Sequence, residues 1–218
     1  MALQRICPAN REEWLAARKA QGIGASEAAS IVGLSPRQSK LDLWEIKTGR
    51  KAPPDLSGNE QVERGVRMES AIRAVFQANH PELIVEHHAF DILFQDERPW
   101  LFATLDGEVA DTAAPGKRYA LEIKTAQPNG KAGWEKWSDG KIPGNYYAQI
   151  LHQMLATGYE KVYVAAFLFG KGNDEITYRE YEFSRDGRQP DLELLLREET
   201  EFWDYVSTDR KPFKFSIT

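Results

Sequence analysis

Cysteine is nearly absent from this 218-residue chain, Cys7 being the only one. An internal disulfide is therefore excluded, and so is any cysteine-cluster zinc site. Four histidines (His80, His87, His88 and His152) show no zinc-ligand spacing and read as surface or packing residues. No apolar run approaches the ~20 residues that cross a bilayer, so no membrane association is expected. The opening, Met1-Ala2-Leu3-Gln4-Arg5-Ile6-Cys7-Pro8, lacks the long apolar stretch of a signal peptide. An intracellular, cytoplasmic setting is the simplest expectation. Repeats, low-complexity tracts and long linkers are missing too. So is any excess of positive charge: the formal net charge is −5, which does not advertise a nucleic-acid binder.

What is present supports a globular fold. Apolar content is 42% and there are six tryptophans, and the length suits one domain spanning 1–218. The distribution of charge says more than its sum. Residues 1–51 hold nine Lys/Arg against five Asp/Glu, and 117–147 hold six against three, whereas 52–116 hold four against twelve. Two basic stretches could attract a polyanion locally while the acidic remainder limits indiscriminate adhesion.

Periodicity divides the chain. Asn10, followed by Glu13, reads as a cap opening a helix to about residue 20. Further helices are expected over about 26–32, 39–48 and 60–79, the last with Val62, Val66, Ile72, Val75 and Phe76 inward. The period then shortens: 83–94, 100–104, 108–110 and 118–125 read as strands. A helix over 146–157, closed by Gly158, precedes an apolar strand at 161–169. A turn at 170–174, a strand at 175–184 and an amphipathic helix at about 190–205 complete the pattern. The fold class is α/β: one central mixed sheet with helices on both faces.

Within the strand at 118–125, side chains alternate. Leu121, Ile123 and Thr125 would share one face, Glu122 and Lys124 the other. With Asp106 in Ala103-Thr104-Leu105-Asp106-Gly107, two acids and a lysine would converge at the mouth of a hairpin, Ile123 anchoring the strand in the core. Hard divalent cations prefer such oxygen ligands, and a lysine beside them suits holding or deprotonating an attacking water. This is the layout of the PD-(D/E)XK nuclease core.

The surrounding residues extend the match. Trp14, Arg18, Gly22-Ile23-Gly24-Ala25-Ser26-Glu27, Val32-Gly33-Leu34-Ser35, Leu43-Trp44 and Thr48-Gly49 come first. Gly65 and Glu69 follow, then the Asp106 segment, Leu121-Glu122-Ile123-Lys124, and Tyr147-Ala148-Gln149. In this order, over about 14–184, the chain resembles the phage lambda-type exonucleases, also called alkaline exonucleases or YqaJ-like viral recombinases.

The resemblance implies a magnesium-dependent 5′→3′ exonuclease on linear duplex DNA, with manganese able to substitute and two ions in play. It would release mononucleotides and leave 3′ single-stranded tails for a single-strand annealing partner, working as a homotrimer in a bacterial host cell of phage or prophage setting. The restriction-endonuclease-like core would occupy about 81–206, and a helical 5′-end-binding part about 10–80. Asp106, Glu122 and the backbone carbonyl of Ile123 correspond to metal ligands, Lys124 to the water-activating lysine. Glu69 corresponds to an acid on the metal or its water shell, and Gln149 to a polar helix residue beside the centre; a structural hydrogen bond remains open for Gln149. Arg18, Ser26 and Thr104 correspond to a pocket for the 5′-terminal phosphate. The Arg-to-Ser spacing is one residue longer than in the lambda prototype, so Lys19 competes with Arg18, and Ser26 could serve as a plain helix cap. Trp14 and Trp44 read as core, while Lys131, Trp134 and Trp137 are candidates for touching DNA. A site-specific endonuclease on the same core and a non-catalytic DNA-end-binding protein are the alternatives.

Overall fold

Local signals set most element boundaries in the computed structural model, which describes residues 2–171 and 175–212. In chain order the elements are β1 (Leu3–Ile6), α1 (Arg11–Gln21), β2 (Ile23–Gly24), a 3₁₀ turn (Ala25–Glu27), α2 (Ala28–Ile31), α3 (Lys40–Lys47) and α4 (Glu60–Asn79). There follow β3 (Leu83–Glu86), β4 (Ile92–Gln95), β5 (Leu101–Ala103), β6 (Gly107–Asp111), β7 (Arg118–Ala126) and α5 (Gly130–Glu135). The chain continues through α6 (Gly144–Thr157), β8 (Lys161–Phe169), β9 (Ile176–Ser184) and α7 (Gln189–Ser207). Asn10 caps α1 by accepting from the Glu13 amide, and Ser39 and Asp42 cap α3 reciprocally. Asn59 accepts from the Gln61 and Val62 amides at the start of α4. Gly158, at φ 77°, ends α6. Part of the turn expected at 170–174 lies outside the described residues.

The mixed α/β character holds, but the strands form two sheets rather than one. The larger has the order β3-β6-β7-β8-β9, with β7 and β8 parallel and its other pairs antiparallel. The smaller has the order β1-β4-β5-β2. The strand expected over 83–94 is therefore two. His87 and His88 interrupt the apolar run, and Asp91 turns back to bond the His88 carbonyl. β3 then pairs with β6, while β4 pairs with β1 and β5.

Helix α4 covers one face of the larger sheet, burying Ile72 and Phe76 against Val109, Leu121 and Ile123. The expectation that Val66 points inward fails: it is 69% exposed. At that level Gly65 is the α4 residue facing β7, so close that a Cβ would stand 3.3 Å from Thr125 Oγ1, and Val66 is turned outward. On the opposite face lies α6, packed also against the smaller sheet through Leu93, Leu101 and Ala103. A third cluster, Ile23, Ile31, Leu43, Trp44 and Phe202, ties α2 and α3 to α7. Because α6 is sandwiched between both sheets, its buried polar side chains reach two different strands.

Candidate active site

The alternation read in β7 is realised. Leu121 and Ile123 face α4, while Glu122 and Lys124 face α6. Glu122 is 3% exposed, and its carboxylate is held on every side. Lys124 Nζ and Gln149 Nε2 both donate to Oε1, the latter at 2.7 Å, and Gln153 Nε2 donates to Oε2. Lys124 Nζ also donates to Gln149 Oε1 at 2.9 Å and lies 4.8 Å from the centre of the Tyr146 ring. Gln149 thus bridges the acid and the lysine. Gln153, absent from the expected site, is fully buried. Its signal was present in the sequence, since residues four apart share a helix face.

Asp106 approaches from the β5–β6 connection. Its Oδ2 accepts from the Ile123 amide at 2.7 Å, docking the carboxyl onto the active strand. Burial raises the Asp106 pKa well above the usual carboxylate range, and the Glu122 charge adds to the effect; Lys124 and the Ile123 amide only partly oppose it. The Lys124 pKa is raised as well, which favours its charged form. Burial disfavours its charge, but Glu122 and Asp106 outweigh this and raise its pKa. Glu69 lines the same cleft, of about 710 Å³, with Asp106, Glu122 and Lys124. It is paired with Arg73, whose Nε donates to the Asp106 carbonyl at 2.9 Å.

Among the described residues no three His, Cys, Asp or Glu side chains group as a metal-binding set. The centre instead offers two carboxylates and the neighbouring Ile123 carbonyl. That donor set fits a magnesium-like cation, which takes one or two protein carboxylates and completes its shell with water and substrate oxygens. Two buried acids share one lysine there, so the donor set has charge to spare for a cation.

A second constellation lies two residues upstream of Asp106. Arg18 is half-buried, its guanidinium 4.5 Å from the Trp14 ring centre and 5.4 Å from that of Phe102. Trp14 Nε1 donates to Thr104 Oγ1 at 3.1 Å. Trp14 is therefore the half-buried platform of this constellation rather than a core residue, whereas Trp44 is core at 4% exposure. No carboxylate forms an ion pair with Arg18 among the described residues; burial lowers its pKa, and Glu27 opposes this only from a distance. Lys19, by contrast, is exposed on α1. Ser26 is exposed on the 3₁₀ turn and makes no cap: Glu27 accepts from the Gly24 amide at 2.8 Å instead. Gly24 is required by space, since a Cβ there would stand 3.0 Å from Arg18 Nη2 and 3.1 Å from Phe102.

The aromatic residues expected at DNA divide. Trp137 is buried at 4%, between Tyr146 and Tyr181, so it cannot stack on a base without unpacking. Trp134 is half-buried against the same core, and Lys131 is 92% exposed, 3.9 Å from Glu135.

The model of the YqaJ-like viral recombinase domain matches residues 13–160, and the chain belongs to that family. Protein YqaJ of Bacillus subtilis (strain 168) is 29% identical over 197 residues, which are 89% of this chain and 56% of YqaJ. The chain thus spans little more than half the length of that relative. Among solved structures, the alkaline exonuclease LHK-Exo from Laribacter hongkongensis superposes with a TM-score of 0.69 at 19% identity, covering 92% of this chain and 94% of its own. A phage-related exonuclease from Haemophilus somnus 129PT gives 0.54 at 11% identity, covering 86% and 96%. At those identities the likeness concerns the fold. No helix among the described residues is long and apolar enough to cross a membrane.

Proposed function

We propose that this protein is a magnesium-dependent 5′→3′ exonuclease on linear double-stranded DNA, releasing mononucleotides and leaving 3′ single strands for an annealing partner. The observation carrying this reading is the Asp106–Glu122–Lys124–Gln149 unit at the floor of an open cleft, in a chain of the YqaJ-like recombinase family. Asp106, Glu122 and the Ile123 carbonyl would hold the cation, with Glu69 at its periphery. When bound, Mg²⁺, or Mn²⁺ in its place, supplies Lewis-acid polarisation of the phosphate and acidifies water; two ions suit this chemistry. Lys124, its ammonium held in place by Gln149, orients the attacking water and offsets charge on the phosphate, and the water's proton passes to solvent. Water oxygen bonds to phosphorus, the bond to the neighbouring nucleotide's 3′ oxygen breaks, and that oxygen takes up a proton from solvent as it leaves.

Arg18 supports end recognition. A half-buried guanidinium without a carboxylate partner among the described residues, with the Thr104 hydroxyl nearby and Ser26 exposed on the 3₁₀ turn that follows Gly24, suits a phosphate dianion. Its burial and stacking favour Arg18 over exposed Lys19. Thr104 and Asp106 are two residues apart, no more than about 7 Å of extended chain, so a bound 5′ phosphate would place the next phosphodiester near the acids. A homotrimer enclosing the duplex accompanies this reading.

The test is digestion of linear duplex labelled at either end, with and without Mg²⁺ and with and without a 5′ phosphate. Mononucleotides released from 5′ ends only in Mg²⁺, and faster from 5′-phosphorylated than from 5′-hydroxyl ends, are expected. Internal cuts in a closed circle would replace this reading with an endonuclease, and end binding without hydrolysis would replace it with a non-catalytic binder.

A further inference from the structure

Lys124 has four flexible side-chain bonds, yet any role on water needs its amine fixed to within a fraction of an ångström. Its contacts are of two kinds. Glu122 is anionic and is itself an expected metal ligand, so its charge serves two masters. Gln149 and the Tyr146 ring are neutral and have no such second demand. Tyr146 presents its ring face to Nζ, 4.8 Å from the ring centre. The ring is buttressed from behind: Trp137 tilts against it at 5.6 Å, and Tyr181 supports Trp137 at 6.1 Å. The Tyr181 hydroxyl also donates to the Trp137 carbonyl at 2.6 Å. The stack therefore runs from β9, through the segment after α5, to the first turn of α6, and ends on the lysine. Trp137, Tyr181 and Lys124 each come from a different element.

We propose that Tyr146 is a positioning residue for Lys124. Its ring face holds the ammonium by cation–π attraction, and the buried Trp137–Tyr181 pair keeps that ring from rotating away. Gln149 fixes the amine laterally, and Tyr146 closes the remaining side. The ring, rather than the hydroxyl, does this, so phenylalanine should serve and an aliphatic residue should not. The proposal rests on the nuclease reading for its kinetic consequence, but the contact itself is independent of it.

Two measurements test it. In the metal-free protein with labelled lysines, the Lys124 Cε protons should resonate upfield of those of exposed lysines, because they lie over a ring. The assignment comes from the signal lost in Lys124→Met. The upfield shift should persist in Tyr146→Phe and vanish in Tyr146→Leu. In digestion assays, Tyr146→Leu should lower kcat about ten- to a hundredfold with KM little changed, and Tyr146→Phe should restore it. An unshifted Lys124 signal in the wild type overturns the proposal. So does a Tyr146→Phe protein as impaired as Tyr146→Leu, or a loss falling on KM alone, which would make Tyr146 a substrate contact. Should Tyr146→Leu not fold, Tyr146→Met replaces it, and the wild-type shift still decides. A wild type that hydrolyses no DNA but shows the shift would reject the nuclease reading while leaving the clamp intact.

Discussion

At the scale of single residues, the candidate centre trades stability for charge placement. Asp106 sits buried beside Glu122, which raises its pKa. An acid whose folded pKa lies above its unfolded value binds its proton more tightly when folded. It therefore favours folding at low pH and works against it once pH rises through the carboxylate range. In metal-free buffer at neutral pH, Asp106→Asn should thus stabilise the protein while abolishing digestion. The amide oxygen can still accept from the Ile123 amide. A gain of roughly 1 kcal/mol would raise Tm by about 2–4 °C in a chain of this size. A fall in Tm, measured calorimetrically without divalent ions, would mean the carboxylate is compensated by contacts other than those seen here. Lys124→Ala and Glu122→Ala should each reduce turnover by about a thousandfold or more, because members of one positioning unit fail together. Glu122→Ala should also destabilise, since it leaves the Gln153 amide buried without its acceptor.

Gly24 offers a finer residue-scale test. Alanine there would press on Arg18 and Phe102 together, and only the guanidinium can yield. Gly24→Ala should therefore blunt the advantage of 5′-phosphorylated over 5′-hydroxyl ends about tenfold. Cleavage from unphosphorylated ends should change little. Parallel losses on both substrates would show that Arg18 is not the end-recognition group.

At the scale of elements, α6 joins the two constellations. Gln149 and Gln153 hold the Glu122 side, and His152, between them on the other flank, donates to the Phe102 carbonyl at 2.9 Å. Its second nitrogen faces Glu199 of α7 at 2.6 Å, with both side chains at 0% exposure. Burial opposes charge on His152, but Glu199 and the Phe102 carbonyl outweigh it and raise its pKa. A raised histidine pKa contributes stability that is fully present below its unfolded value near 6.5 and lost as pH rises through the folded value. Urea unfolding should accordingly show the wild type losing stability above neutral pH by an amount that His152→Gln does not. Glu199→Ala should cost about 3–5 kcal/mol at pH 6, as expected on stranding a buried charge. Equal pH dependence in wild type and His152→Gln would place the titration elsewhere, His80 being the other histidine whose pKa is raised: burial opposes its charge, but Glu180 and Glu82 together outweigh it.

Elements also show what sequence could and could not reveal. The long periodic ones were legible: α4 and β8 begin and end where their patterns do, because one helix face and one fully covered strand dominate their composition. Residues whose role is set by distant partners were not. β1 has all four residues exposed and β2 has only two residues, so neither carries a period. Trp137 sits in a basic stretch, yet its burial depends on Tyr181, 44 positions later. That Asp106, Glu122 and Lys124 converge was readable from strand alternation and one short connection, while the roles expected of them rested on the resemblance carried by the surrounding motifs. Phe102 and His152, which support the Arg18 constellation, required knowledge of the second sheet.

At the scale of the whole molecule, the two basic stretches are less available than their composition suggests. Within 1–51, Arg5, Lys40, Lys47, Arg50 and Lys51 are engaged by acids, most of them distant in sequence. Within 117–147, Lys117, Arg118, Lys124 and Lys131 are likewise paired. Arg11, Arg18, Lys19, Arg37, Lys136 and Lys141 form no ion pair among the described residues. Within the two basic stretches, these six are the cations that can meet phosphates without first breaking an internal pair; Lys171, Arg179, Arg185, Arg188 and Lys211, elsewhere in the chain, also form no ion pair among the described residues. Each phosphate neutralised on duplex DNA contributes about −0.9 to the slope of log affinity against log salt. Contact through the two basic stretches alone therefore gives a slope of roughly −5 for each bound chain. The measurement is anisotropy titration of a duplex end with the Lys124→Ala protein across a salt series. Chain stoichiometry comes from mass photometry in the same buffers, where the proposed assembly should report three copies. A slope per chain well beyond −5 would mean that further cations reach the DNA: if removal of Asp42, Glu160 or Glu198 then tightens binding, internal ion pairs open onto it, and if not, the unpaired cations outside the two stretches are the ones engaged.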